Sequence, residues 1–203
     1  MKKSLTLPTS ELVKTACDEF DRENAEVEGA LTELFRQYPE NTDARHVLLK
    51  VAALNALYST QIRVYTKTIP NILDVARHIS RNGAYIDSAL AAGALEVVDF
   101  IARMTVPGKK KHIKFSFATK YCNWHRPSSY AICDARVDAY IACLRHDAHF
   151  AKFFGTGEEH WRYPRLHEFM TIFRAEHGLG AFTFKEIDKF LWKYGNFRDP
   201  GGE

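Results

Sequence analysis

Asp134 closes a short apolar segment, Tyr130-Ala131-Ile132-Cys133, and opens a run in which Val137, Tyr140, Ile141 and Leu144 share one helical face. A carboxylate at that junction caps a helix by accepting backbone N–H groups. Beside a groove, the same carboxylate stabilises an oxocarbenium ion or orients a water toward a sugar C1′. The residue types leave both roles open. Upstream, Val106-Pro107-Gly108 leads into Lys109-Lys110-Lys111-His112, the densest basic cluster of the chain. A Pro-Gly turn running into a helix start brings free amides and ammonium groups together, which suits a phosphate; a solvated basic loop is the plainer alternative. Between cluster and carboxylate lie Lys114, Lys120, Tyr121, Trp124 and His125, with Tyr130 just beyond. Aromatic faces of this kind stack on a nucleobase for about 1–3 kcal/mol each, or else fill a helical core.

Helices must hold these residues. Apolar positions recur at helical spacing from Ser10, a candidate cap, through Leu12, Val13, Ala16 and Phe20, and on through Val27, Leu31 and Phe35 to Pro39. Residues 43–60 are apolar enough to predict a helix buried on most sides. Further helices follow Pro70, with a break at Asn82-Gly83, and end before Val106-Pro107-Gly108. Residues 115–125 and 135–145 form the pair around the Pro127 loop. Thr183-Phe184-Lys185-Glu186 reads as a capping box opening a last helix that stops near Gly195. No long alternating strand, internal repeat or low-complexity tract interrupts this pattern. The expected class is all-α. Trp161, Phe169, Phe173, Phe182, Phe184, Phe190 and Trp192 suit the core of the closing segment, and Arg162, Arg165, Lys185 and Lys189 suit a polynucleotide-facing rim.

The totals fit that frame. The 203 residues are 46% hydrophobic and 26% charged, which sets them apart from a disordered chain and gives a sizeable core. No apolar run reaches the roughly 18 residues of a membrane span, and the opening MKKSLTLPTSEL lacks the apolar stretch of a secretory signal. Cys17, Cys122, Cys133 and Cys143 form no CxxC or CxxH pair, so the expectation is reduced thiols in a cytoplasmic protein and no metal site. P-loop, G-x-G-x-x-G, G-x-S-x-G, H-E-x-x-H and deaminase motifs are absent, which removes those enzyme classes. A net charge of +3 is too small to argue for nucleic acid by itself; the local Lys109–His112 cluster carries that case.

The order Pro107-Gly108 turn, helix from about Lys114 to His125, Pro127 loop, then Asp134-Ala135-Arg136-Val137 resembles the helix-hairpin-helix DNA glycosylase superfamily. The SFATKYCNWHRP string, with Tyr130, Ile132 and Asp134 after it, also looks like one from bacterial anti-phage glycosylases acting on modified bases. The resemblance covers residues 43–145. It departs from the family where the hairpin lacks a second glycine and carries the extra KKKHI residues, and where no cysteine cluster for iron–sulfur is present.

What the resemblance implies is a two-lobed helical domain with a central helix-hairpin-helix and a cleft between lobes. Its glycosylase-like core spans 43–145, its hairpin 105–114 and its C-terminal lobe 146–203. The functional aspartate falls on Asp134 and the nucleophile of lyase-competent members on Lys114 or Lys120. Tyr121, Trp124, His125 and Tyr130 become the base pocket. Lys109, Lys110, Lys111 and His112 grip the backbone, while Asn55, Tyr58, Ser59, Thr60 and Gln61 fill the gap left by an extruded nucleotide. The implied function is excision of a modified or damaged base from double-stranded DNA, including modified phage DNA, in repair or anti-phage defence. Hydrolysis with Asp134 as the key group is favoured over lysine chemistry. The expected protein is a monomer with no cofactor, metal or membrane contact. The alternative is a non-catalytic helical DNA-binding module or a defence-system interaction protein.

Overall fold

The computed structural model describes residues 5–145, 147, 150–153 and 162–195. Among them all regular structure is helical: α1 (Ser10–Gln37), α2 (Ala44–Leu57), α3 (Ile72–Arg81), α4 (Gly83–Ala92), α5 (Glu96–Ala102), α6 (Phe115–His125), α7 (Ala135–Cys143), α8 (Tyr163–Glu176) and α9 (Phe184–Tyr194), with a 3-10 turn at Ala151–Phe153. The all-α expectation holds. Trp161 lies outside the described residues. No helix among the described residues is long and apolar enough to cross a membrane.

Short polar side chains start these helices. Thr9, rather than the expected Ser10, accepts the Leu12 N–H at 3.2 Å and caps α1. Asp43 caps α2, and Asn71 with Asp74 forms a capping box on α3. Thr183 and Glu186 form the expected box on α9. α1 is two helical stretches joined at Asn24, whose backbone is non-helical (φ −122°, ψ 17°) and whose Nδ2 donates to the Phe20 carbonyl at 2.9 Å. A side chain bonded into the ladder in this way bends a helix.

Two glycines are required by close approach. A Cβ on Gly83 would fall 2.7 Å from Thr42 N and nearer still to the Asn41 carbonyl. Gly195 is the C-cap of α9, as expected, with φ −80°. It is needed because a Cβ there would sit 2.5 Å from the Leu191 carbonyl oxygen and 2.6 Å from that of Arg136.

α2 packs against α1, α3 and α6, α5 against α6 and α8, and α9 against α1 and α7. The expectation for α2 needs correcting: Val47, Val51 and Leu54 are fully buried, but Leu49 is 52% exposed and Leu57 45%. Its three partners cover one side of the cylinder, and the excess apolar residues face outward. Each core side chain buried this completely contributes about 1.5–3 kcal/mol, so helices far apart in sequence close on one another. α9 thereby returns to α1, tied by Lys189 to Asp21 at 2.5 Å and by Lys193 to Glu19.

Candidate functional site

α6 positions the central pair. Ser116 and Lys120 stand one turn apart and face the same groove. Next to them on the same face of α6, Thr119 Oγ1 bonds the Cys133 carbonyl and accepts the Cys133 N–H at 3.1 Å, while Asn123 Nδ2 donates to the Tyr130 carbonyl at 2.6 Å. These bonds stitch the 130–133 segment to α6 and so fix the start of α7. Asp134 sits there in extended conformation, its Oδ1 accepting the N–H groups of Arg136 (3.0 Å) and Val137 (3.2 Å). Its Oδ2 lies 3.1 Å from Lys120 Nζ. The two roles left open by the residue types are therefore compatible: Asp134 is a helix cap and also a groove-lining carboxylate.

The groove encloses about 580 Å³, within the range of small-ligand sites. α1 contributes Phe20, Asn24, Val27 and Glu28 at its kink, and the turn after α2 contributes Tyr58, Ser59, Thr60 and Gln61. α9 contributes Asp188 and Trp192. Tyr58 donates its hydroxyl to Glu28, and burial with that carboxylate alongside pushes its pKa far upward. Lys185 pairs with Glu28 at 2.6 Å and holds its ammonium 3.3 Å above the centre of the Trp124 ring. Burial pulls the Lys185 pKa down against the opposing pull of Glu28. At the rim, the Arg136 guanidinium stacks 4.0 Å over Trp192 and donates to its carbonyl at 3.1 Å.

Ser59 and Gln61 both adopt left-handed backbone (φ 48° and 56°). For residues bearing a Cβ this costs on the order of 1–2 kcal/mol each. Asn55 offsets it: its side chain accepts from Ile62 N at 2.8 Å and Thr60 Oγ1 at 3.0 Å, and donates to the Ile62 carbonyl at 2.9 Å. The strained turn is thus held at the groove edge by a residue that does not itself line the groove.

Several expectations change. Tyr121, Trp124, His125 and Tyr130 do not line the groove. Tyr121 and Tyr130 are fully buried and donate their hydroxyls to Asn41 Oδ1 and the Ala94 carbonyl. Trp124 packs behind the groove against Phe35 and Tyr58. His125 wedges against Phe35 and Tyr121 with its Nε2 3.4 Å from Lys50 Nζ. An eleven-residue helix packed against α1, α2 and α5 buries nearly all of its side chains, Lys120 included, so its aromatics fill the core and only Ser116 and Lys120 border the groove.

Lys114 occupies the N-cap position of α6 without a side-chain cap bond and is buried, its Nζ without a partner and its pKa lowered by burial and Arg63; it is absent from the groove lining. Lys120 is thus the lysine brought to Asp134. In the hairpin, Lys109 is spent on Asp74 at 2.5 Å and on the Thr66 carbonyl, whereas Lys110, Lys111 and His112 are exposed. Lys185 and Lys189 form no open rim, being paired with Glu28 and Asp21 on α1. Trp192, expected in the core, is 39% exposed at the groove mouth.

Glu28, Asp188 and the α1 kink went unread in the sequence. Asp188 carries a signal in retrospect: it stands one turn before Trp192 and one residue after the core residue Ile187, with lysines at 185 and 189. A carboxyl so close to a core position invites burial. Among the described residues no group of His, Cys, Asp and Glu comes together as a metal site would require.

A family model for an N-terminal domain, HI_0787_N, matches residues 12–129. That span runs from α1 past α6, so it holds Glu28, Tyr58 and Lys120 and stops short of Asp134 and Asp188. An uncharacterized protein of Haemophilus influenzae is 28% identical over 156 residues, covering 77% of this chain and 69% of that protein. No solved structure matches the chain.

Proposed function

The chain belongs to the HI_0787_N family, and we propose that it is a DNA N-glycosylase that takes an extruded base into the groove and leaves an abasic site. One observation carries the proposal: Lys120 and Asp134 meet at 3.1 Å in a groove walled by Phe20, Tyr58 and Trp192. A base stacked in a duplex cannot reach a carboxylate, so the nucleotide leaves the helix at a cost of a few kcal/mol. Aromatic walls return part of that cost by stacking. Exposed Lys110, Lys111 and His112, beyond the left-handed turn at Gly108, supply charge for the phosphate backbone.

Asp134, engaged as an acceptor by two amides and an ammonium, stabilises positive charge on the sugar as the C1′–N bond breaks. The bond's electron pair leaves with the base, and water adds its oxygen to C1′. An ammonium bound to a carboxylate has no lone pair to attack with, so hydrolysis is favoured over a Schiff base. Lys120 then holds the Asp134 carboxylate in place.

Purified protein incubated with unmodified DNA and with phage DNA carrying modified cytosines tests this, abasic sites being counted with an aldehyde-reactive probe. Wild type should generate sites on one of these DNAs and Asp134→Asn should not, although asparagine retains the cap and the fold. Borohydride trapping of protein on DNA, lost in Lys120→Ala, would replace hydrolysis by lysine chemistry. Salt-sensitive DNA binding without abasic sites would instead favour a non-catalytic binding module.

A further inference from the structure

Five ionisable side chains meet where α1, α6, α7 and α9 converge: Glu28, Lys120, Asp134, Lys185 and Asp188. Two pairs form among them, Lys120 with Asp134 at 3.1 Å and Lys185 with Glu28 at 2.6 Å. Three carboxyls against two ammonium groups leave one carboxyl unmatched, and it is Asp188. Its Oδ1 is sealed from solvent with no hydrogen-bond partner. An ionised carboxylate tolerates that poorly, because nothing replaces the lost hydration. A protonated one tolerates it far better.

We propose that Asp188 is the general acid of the groove, handing its proton to the departing base while ionised Asp134 faces the sugar. This rests on the glycosylase proposal above. The electron pair of the C1′–N bond passes to the base, and the Asp188 proton goes to a ring heteroatom of that base. Water adds to C1′, and its proton returns to the Asp188 carboxylate, so the enzyme ends as it began. Two carboxyls in one site, one furnished with donors and the other starved of them, is how acid and base roles separate in a shared cavity.

The groups facing Asp188 set when it is protonated. They are Glu28 on α1, Tyr58 after α2, Lys120 on α6, Cys133 and Asp134 ahead of α7, and Lys185 on its own helix. Burial and then the charge of Asp134 push its carboxyl up to about 7, against the pull of Lys120 and Lys185. An acid poised there serves at neutral pH and fails as pH rises. The role also defines the substrate class. A neutral base is a poor leaving group and needs the proton, whereas a base alkylated at a ring nitrogen is already cationic and leaves without it. The substrate is a neutral modified base.

Duplex oligonucleotides carrying uracil, 5-hydroxymethylcytosine or 8-oxoguanine serve as neutral probes, and 7-methylguanine as the cationic one. Base release is followed for wild type, Asp188→Asn and Asp188→Glu from about pH 5.5 to about 9. Wild type on its neutral substrate should lose rate about tenfold per pH unit above about 7. Asp188→Asn should be slower by at least ~100-fold there, with no such limb, and should lose much less on 7-methylguanine than on the neutral base. Asp188→Glu should restore part of the rate and the limb. Equal losses on both kinds of base, or an unchanged limb, would overturn the acid role while leaving the glycosylase standing. No release by wild type from any probe removes both. Infrared difference spectra of wild type against Asp188→Asn give a readout apart from catalysis. A protonated carboxyl band should appear at about pH 6, and its absence would sink the proposal whatever the DNA result.

Discussion

His125 makes acid stability a direct test of the packing behind the groove. Its ring contacts Phe35 and Tyr121 at centroid distances of 5.0 and 5.1 Å, and its Nε2 lies 3.4 Å from the ammonium of Lys50. That ammonium is itself fully buried, held by the carbonyls of Tyr38 and Glu40 at 3.0 Å and by Asn41 Oδ1 at 2.8 Å. A second positive charge there is opposed by Lys50 and by Arg126. Burial first, then Lys50 and Arg126, lower the His125 pKa from 6.5 to about 3. Between those two values the unfolded chain binds the proton that the folded one refuses, so stability falls as pH drops from 6.5 toward 3. At ~1.4 kcal/mol per pH unit the loss approaches roughly 4–5 kcal/mol, a large share of a typical domain's stability. His125→Gln keeps an acceptor for Lys50 and cannot titrate. Urea midpoints for both proteins at several pH values, from neutral down to about 4, isolate the histidine, since the carboxylates titrate alike in each. The variant should lose less stability on acidification, the curves converging or crossing below pH 6.5. Parallel curves would show that His125 takes its proton freely and that the buried Lys50–His125 contact is wrong.

Other expectations concern the groove and the hairpin. Asp134→Ala removes the α7 cap, worth about 1 kcal/mol, and takes away the carboxylate paired with Lys120 at 3.1 Å, leaving Asp188 as the carboxyl facing that ammonium. Asp134→Asn keeps the cap and should unfold at higher urea than the alanine variant; equal midpoints would refute the capping role. Replacing Lys110 and Lys111 together with alanine should leave stability within about 0.5 kcal/mol and lower the salt dependence of DNA binding by about two counterions. Lys109→Ala should instead destabilise the fold by unpairing Asp74, with little change in that slope.

The fold was largely legible because its information is local. Helical spacing, the Thr183–Glu186 box and the Asn82-Gly83 break each depend on residues within a turn or two of one another, and α6 runs over the expected residues 115–125. α2 misled because an apolar sequence reports capacity for burial, while burial itself depends on how many neighbours arrive. Gly195 ends α9 as expected, but the reason no side chain fits there is the Arg136 carbonyl, distant in sequence.

The site was half legible, and the division follows from what an isolated residue can reveal. Asp134 declared itself because capping is a local act, and Lys120 because it lies on the adjoining helix. The aromatics were misassigned because a ring has the same signature in a core as in a binding wall; only the direction its helix face points separates them, and Tyr121 and Lys120, neighbours in sequence, reach different places, Asn41 and Asp134. Asp188 and Glu28 belong to helices near opposite ends of the described chain. They acquire meaning only when α9 returns to α1 and the charges on both can be counted against Lys120 and Lys185. With two cations and three carboxyls enclosed together, the odd proton is a property of the assembled cluster. A change at Glu28 should therefore move the titration of Asp188 although the two need not touch. Glu28→Gln leaves Lys185 without its carboxylate, draws that ammonium toward Asp188 and lowers the pH at which Asp188 ionises, shifting the limb of any activity that depends on it toward acid.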